Sequence, residues 1–138
     1  MSNRIESRIY PIRSNEDLKA LQRDLRADFE LQHVSYELGR NMVEEGETGT
    51  IEVHQGCVRS IIRKDGGRDW DEVERRLTET LGQVTKACSN GHAHTLDVST
   101  KQRRFGGRGL AMIICMGWSA VLKATSTELV LEARKTFQ

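Results

Sequence analysis

The first half of the chain carries a long stretch of apolar residues spaced as on a helix. One stripe runs from Leu18 to Tyr36 at three- and four-residue steps with a gap at Gln32, and a second runs beside it from residue 31 to residue 42. With Ser14 and Asp17 resembling a capping box, the spacing predicts one helix from about Asn15 to Glu45. Two stripes are more than one sheet face needs, so we expect its far half to pack against a second copy of the protein.

A second helical pattern lies in the middle of the chain. Apolar side chains recur from Trp70 to Cys88 down one face at the same three- and four-residue spacing. Asp69 followed three residues later by Glu72 resembles a capping box at its start, and the Ser-Asn-Gly of residues 89–91 ends it.

Stretches beside these helices have the patterns of β-strands. Residues 7–13 surround the lone proline, Pro11, and predict a short edge strand because proline cannot donate to a ladder. Residues 50–64 predict one strand with a bulge at Gly56, and a turn follows at residues 65–67.

The pattern changes after the second helix. Residues 92–100 alternate between apolar and polar, which predicts a strand, and residues 110–116 predict a buried strand. The stretch between them would form the tip of a β-hairpin. The last residues predict either a hairpin that turns at residues 124–126 or a helix from Ser126, and we favour a strand at residues 129–131.

The predicted order is strand, helix, strand, helix, strand, strand, followed by one or two further strands. This order indicates an α+β fold, a two-layer sandwich in which one mainly antiparallel sheet carries two helices on one face. The chain shows no linker and no internal repeat, so we expect residues 1–138 to form a single domain.

Composition narrows the class of protein. Hydrophobic residues make up 37% and charged residues 30%, which is typical of a globular protein. No apolar run approaches the roughly 20 residues of a membrane helix, and the amino terminus lacks the pattern of a secretion signal, so we expect no membrane partner. The odd number of cysteines (Cys57, Cys88 and Cys115) favours a reducing compartment, namely the cytoplasm, or the interior of a host cell if the protein is viral.

Charge is spread unevenly along the chain, although the net charge is only +1. Residues 1–91 hold 14 Lys and Arg against 17 Asp and Glu, whereas residues 92–138 hold 7 against 3. The basic part contains the stretch KQRRFGGRG, which has no acidic residue. Its charged and aromatic residues are Lys101, Arg103, Arg104, Phe105 and Arg108.

This stretch has the chemistry of a nucleic-acid contact. Cationic heads at an exposed hairpin tip match phosphate oxygens, glycines let the backbone approach a polyanion, and Phe105 can stack on a base. The alternative is an ordinary solvated turn, although such turns usually mix both signs of charge. A second basic cluster, Arg59, Arg63, Lys64 and Arg68, would extend this surface if its strand lies near the hairpin, and its first three residues are predicted contacts.

The predicted element order, with its basic hairpin, resembles the Alba-type arrangement of small chromatin and RNA-binding proteins. The resemblance covers roughly residues 9–116 and is carried by element order, since no residues match a family motif. It implies nucleic-acid binding at the level of the fold alone.

Residues for a metal site or for catalysis are few. Cys88, His92 and His94 are zinc-ligand types, with His54 or Cys57 as a fourth ligand. No CxxC or HExxH motif accompanies them, so we expect no metal site and no cofactor. The chain also lacks a nucleophile elbow and a phosphate-binding glycine motif, so we expect that the protein is not an enzyme.

These patterns predict a non-enzymatic nucleic-acid-binding protein, a homodimer, that contacts the sugar-phosphate backbone through a basic β-hairpin with little sequence specificity. Duplex RNA is slightly favoured over DNA, because Thr95, Ser99 and Thr100 would meet 2′-hydroxyl groups. The alternative is a homo-oligomeric assembly or interaction module whose hairpin binds an acidic protein partner.

Overall fold

The computed structural model of the protein describes residues 7–89, 114 and 116–135, with the backbone alone at residues 83–89. Its elements in chain order are β1 (Arg8–Ile12), α1 (Asn15–Asp24), α2 (Phe29–Glu44), β2 (Gly49–His54), β3 (Cys57–Arg63), α3 (Trp70–Ser89), β4 (Trp118–Ala124) and β5 (Glu128–Lys135). Within these residues five strands and three helices form an α+β fold, which confirms the predicted class. No described helix has the length and apolar character needed to cross a membrane.

The five strands join one antiparallel sheet in the order β1-β2-β3-β5-β4. β1 lies at one edge, as predicted from Pro11, which has no N–H to offer a further strand. β5 lies between β3 and β4, so that β4 forms the other edge of the described sheet.

The helices cover one face of the sheet and bury its apolar side chains. α1 and α2 pack over β1, β2 and β3, whereas α3 packs on β4. Side chains alternate along each strand, so every second residue points into this core, and each fully buried Val, Leu, Ile or Met contributes about 1.5–3 kcal/mol. The largest fully buried side chains are Ile12, Leu21, Met42, Ile51, Leu129, Leu131, Val34, Val53, Val58 and Thr80.

The first helical stretch is two helices, and the prediction of one helix from Asn15 to Glu45 was wrong. Asp28 ends the break between them as the N-cap of α2, because its carboxylate accepts a hydrogen bond from the Leu31 N–H (3.0 Å). The Gln32 side-chain amide donates to the Gln22 carbonyl (2.7 Å), near the end of α1. These bonds pair backbone groups that a broken helix would otherwise leave without partners.

The break also changes the role of the two apolar stripes. Leu18 and Leu21 of α1 and Leu31 and Val34 of α2 are all buried in the protein's own core. The second stripe therefore gives no reason to invoke a second copy of the chain. Phe29, at the start of α2, remains 73% exposed and stacks on a neighbouring histidine ring.

The two predicted capping boxes have different outcomes. The Asp69 carboxylate accepts from the Glu72 N–H (3.2 Å), which confirms the start of α3. Ser14 makes no side-chain cap bond. Instead, Asp17 reaches back to Arg13 and accepts from its guanidinium and from its backbone N–H (2.8 Å). The guanidinium hydrogen bond is the main cause that lowers the pKa of Asp17 below its ordinary value.

The stretch predicted as one bulged strand over residues 50–64 is a β-hairpin. β2 and β3 pair without interruption up to His54 and Cys57, so Gln55 and Gly56 form the turn and the predicted bulge was wrong. Gly56 has a φ of 72°, a conformation that glycine adopts without a steric penalty. The described order is therefore strand, helix, helix, strand, strand, helix, strand, strand, which departs from the order on which the Alba-type resemblance was drawn.

The carboxyl-terminal stretch is a hairpin, the first of the two predicted alternatives. β4 and β5 pair along their length, and β5 includes the strand favoured at residues 129–131. Of the strand predicted at residues 110–116, the structure describes Ile114 in a helical conformation and Met116 in a turn, so neither belongs to a strand. The rest of the predicted basic hairpin lies outside the described residues.

Candidate nucleic-acid interface

The sheet face opposite the helices carries a charged cluster centred on Glu132. β5 alternates between the two faces, so Leu131 points into the core and Glu132 points outward. Glu132 is nevertheless only 3% exposed. Three cationic side chains, Arg59 of β3, Lys123 of β4 and Arg134 of β5, surround its carboxylate, and we call these four residues the Glu132 cluster.

Cross-strand register brings the cluster together. Arg59 is the direct partner of Glu132 in the β3–β5 pairing. Lys123 lies two residues along β4 from the residue that pairs directly with Glu132. One carboxylate oxygen accepts from Lys123 Nζ (2.9 Å), and the other accepts from Arg134 Nη2 (2.9 Å) and Arg59 Nε (3.3 Å). Both oxygens of Glu132 are therefore engaged by cations.

The cluster holds more positive than negative charge. The hydrogen bond from Lys123 is the main cause that lowers the pKa of Glu132 to about 2, so this carboxylate is charged at neutral pH. Lys123 and Arg134 share it with Arg59, yet their side chains stay 62% and 61% exposed. Part of their positive charge is therefore open to an anion from solution.

Arg59, one of the predicted contact residues, lies at the centre of the sheet face opposite the helices, which we call the open face. Its Nη1 is 2.9 Å from Glu52 Oε1, and its Nε is held by Glu132. These pairs raise the pKa of Arg59, with the Glu132 hydrogen bond as the main cause. Arg59 is thus paired with two carboxylates of its own chain.

Arg63 and Lys64, the other predicted residues of this basic group, lie at the end of β3. Arg63 is exposed and is paired in register with Glu128. The Lys64 ammonium donates to the carbonyl of Thr125 in the β4–β5 turn. The remaining predicted contact residues, Lys101, Arg103, Arg104, Phe105 and Arg108, lie outside the described residues, as do Thr95, Ser99 and Thr100.

Sequence reasoning missed Lys123 and Arg134 as site residues. The alternation of Leu131, Glu132 and Arg134 along β5 was a signal that the two charged residues share an outward face. Placing Arg59 beside them requires the β3–β5 pairing, which joins strands that are far apart in the chain.

A thiol and an imidazole lie beside the cluster. The Cys57 thiol donates to Glu132 (3.6 Å), and burial raises its pKa, so it stays protonated at neutral pH. His54 Nδ1 is 2.8 Å from Ser7 Oγ, while its Nε2 is 3.6 Å from Glu52 Oε1. The distance from His54 to Glu52 is too long for a hydrogen bond. Ser7, His54 and Glu52 therefore lack the base-to-carboxylate contact of a nucleophilic triad.

The His, Cys and carboxylate side chains described in this region are not grouped as metal ligands. Within the part of the chain that the structure describes, no three His, Cys, Asp or Glu side chains are grouped to hold a metal ion. The set considered from the sequence, Cys88, His92 and His94, falls outside the described side chains. His54 and Cys57, considered as its fourth ligand, pair with each other across the β2–β3 turn.

The two tryptophans are used for packing. Trp118 is 3% exposed and donates its indole N–H to Glu30 (2.9 Å), which also accepts from Lys135. The Lys135 hydrogen bond is the main cause that lowers the pKa of Glu30. Trp70 is half-buried, and the guanidinium of Arg68 lies 5.6 Å from the centre of its ring.

The chain matches no protein-family model, no curated protein and no solved structure. Its function is therefore inferred from its own residues.

Proposed function

We propose that the protein binds nucleic acid through the sugar-phosphate backbone, without catalysis and with little sequence specificity. The observation that carries the proposal is the exposure of Lys123 and Arg134 around one shared carboxylate. Ammonium and guanidinium groups form short, charge-assisted hydrogen bonds with phosphate oxygens. Both groups can therefore turn spare donors towards a phosphate while Glu132 holds them in place.

The open face favours contacts to phosphate over contacts to bases. The outward-facing positions of the five described strands hold no Phe, Tyr or Trp, the side chains on which RNA-binding sheets stack bases. Phosphate contacts position a protein without reading sequence, so affinity is expected to vary little between sequences. The stretch from Lys101 to Arg108 contributes four further positive charges and remains part of the proposal.

A charge-removal experiment tests the Glu132 cluster. Replacing Lys123→Gln together with Arg134→Gln removes two cations, so the slope of log affinity against log salt on duplex DNA should become shallower by about 1.8 units. Affinity should fall to the same extent for unrelated sequences. The matched control, Lys19→Gln with Arg23→Gln, removes the same charge from α1 and should leave the slope unchanged.

Thermal unfolding of both double variants shows whether the fold is retained, because Glu132 loses two partners. An unchanged slope for the Lys123 and Arg134 pair, or an equal loss in the α1 control, would remove the cluster from the proposal.

A second variant tests the basic stretch independently. Arg103→Ala with Arg104→Ala should weaken binding to all sequences alike, and duplex RNA should be bound slightly more tightly than duplex DNA of the same sequence. If the unaltered protein binds neither duplex at low salt, and carries no nucleic acid when purified without nuclease, the proposed function is wrong.

A further inference from the structure

The two edges of the described sheet differ in their protection against a further strand. β1 is five residues long and contains Pro11, which has no N–H. β4 is seven residues long, pairs with β5 at every position and contains no proline. Its one charged residue is Lys123. Sheet edges are usually protected by proline, charge, bulges or a covering element, so β4 has the features of an edge that accepts another strand.

The outer side of β4 presents backbone groups that can pair. The Thr125 N–H donates to the Glu128 carbonyl (2.9 Å) beside the last pair of the β4–β5 ladder. Hydrogen-bonded pairs alternate along an antiparallel ladder, so Val121 bonds to β5, whereas the N–H and C=O groups of Ala120 and Leu122 point away from it. Among the described strands, none pairs with that side of β4.

We propose that a second copy of the chain pairs with this edge, with the two β4 strands antiparallel about a twofold axis at Val121. In this register Ala120 exchanges backbone hydrogen bonds with the partner's Leu122, and Leu122 does so with the partner's Ala120. The two sheets then form one continuous sheet with an isologous interface. This assembly does not require the proposed nucleic-acid binding, although Lys123 belongs to both surfaces.

The sequence of β4 is complementary to itself in this register. On the inner face the partly buried Leu122 lies opposite the smaller Ala120 of the other copy. On the outer face Lys123 lies opposite Ser119, so like charges do not meet. Val121, which is 48% exposed in the single chain, packs on its own counterpart. This matching of size and charge favours a second copy over an unrelated strand.

Molecular mass measured across protein concentration tests the proposal, and a dimer that dissociates on dilution is expected. Val121→Lys places two ammonium groups opposite each other at the axis and should raise the dissociation constant about tenfold. Residue 121 pairs with Glu132 in its own chain, so a lysine there has an acidic neighbour and the monomer should keep its fold. The control Ile9→Lys, on the exposed outer face of β1, should leave the dissociation constant unchanged.

A protein that stays monomeric at every concentration would overturn the proposal. So would a dimer that Val121→Lys and Ile9→Lys weaken equally.

Cysteine cross-linking tests the register itself. Residues facing each other on the axis would lie about 4.5 Å apart at Cα, which suits a disulfide, so Val121→Cys should give a covalent dimer under a mild oxidant. Ser119→Cys faces position 123 of the other copy and should give none above the background set by the three natural cysteines. Cross-linking at position 119 but not at position 121 would exclude this register.

Discussion

The two faces of the sheet bury their side chains for different reasons. On the inner face Leu129 and Leu131 are 0% and 2% exposed because they lie in the core cluster that apolar side chains of the helices complete. On the outer face Glu132 is 3% exposed, although no described helix packs there. Its neighbours Arg59, Lys123 and Arg134 cover it instead.

Side chains that are equally buried on the two faces are therefore stabilised by different interactions. An apolar side chain gains free energy from leaving water whichever apolar atoms surround it. A buried carboxylate gains only if cations and hydrogen-bond donors replace the water it has lost. The inner face consequently dominates stability, whereas the outer face holds oriented charges that are partly exposed to solvent.

The largest expected difference in stability is between alanine substitutions of two neighbouring residues on opposite faces of β5. Leu131→Ala leaves a cavity in the core and should lower the free energy of unfolding by about 2–5 kcal/mol. Val130→Ala, one residue earlier on the outer face, should cost less than about 1.5 kcal/mol because its side chain is only partly buried. Urea unfolding of both variants measures the difference, and equal losses would contradict the distinction between the faces.

A smaller effect is expected from removing the charge at the centre of the outer face. Glu132→Gln keeps the shape of the side chain but weakens its bonds to three cations, so the free energy of unfolding should fall by about 1–3 kcal/mol. Glu128→Gln, on the same face of the same strand, is the matched control and should change stability by less than about 0.5 kcal/mol. A loss of equal size in the control would mean that the cluster adds nothing beyond general surface charge.

The acid dependence of stability sharpens this comparison. The pKa of Glu132 is lowered in the folded protein from 4.5 to about 2, so its stabilisation is present above the unfolded value. That stabilisation is lost as pH falls from about 4.5 towards 2. The difference in unfolding free energy between the unaltered protein and Glu132→Gln should therefore be constant near neutral pH and shrink through this window. A difference independent of pH would show that the carboxylate charge is not its source.

Local sequence patterns predicted the structure correctly where the interaction that stabilises it joins residues close together in the chain. Asp69 and Glu72 lie within one helical turn, so their spacing alone predicted the start of α3. Pro11 restricts its own strand whatever lies around it, so the edge position of β1 was predicted correctly. Asp28 was an available signal of the same kind for the start of α2, but the continuous apolar periodicity around it outweighed it.

Local sequence patterns were insufficient where the same residues suit two different structures. A bulge and a two-residue turn both suit Gly56, and the choice between them depends on whether β2 and β3 find each other as partners. The environment of Arg59 likewise depends on which strands pair. Its sequence neighbours do not reveal a carboxylate partner, whereas pairing with β5 places it against Glu132.

The amino-acid sequence by itself determined the α+β class, the apolar faces of the helices and strands, the edge position of β1 and the capped start of α3. Each of these depends on spacing within a few residues, which the chain carries wherever it folds. Only the tertiary structure decided which strands are neighbours, and therefore that Arg59, Lys123 and Arg134 share one carboxylate. That outcome depends on contacts between residues far apart in the chain, for which local periodicity contains no information.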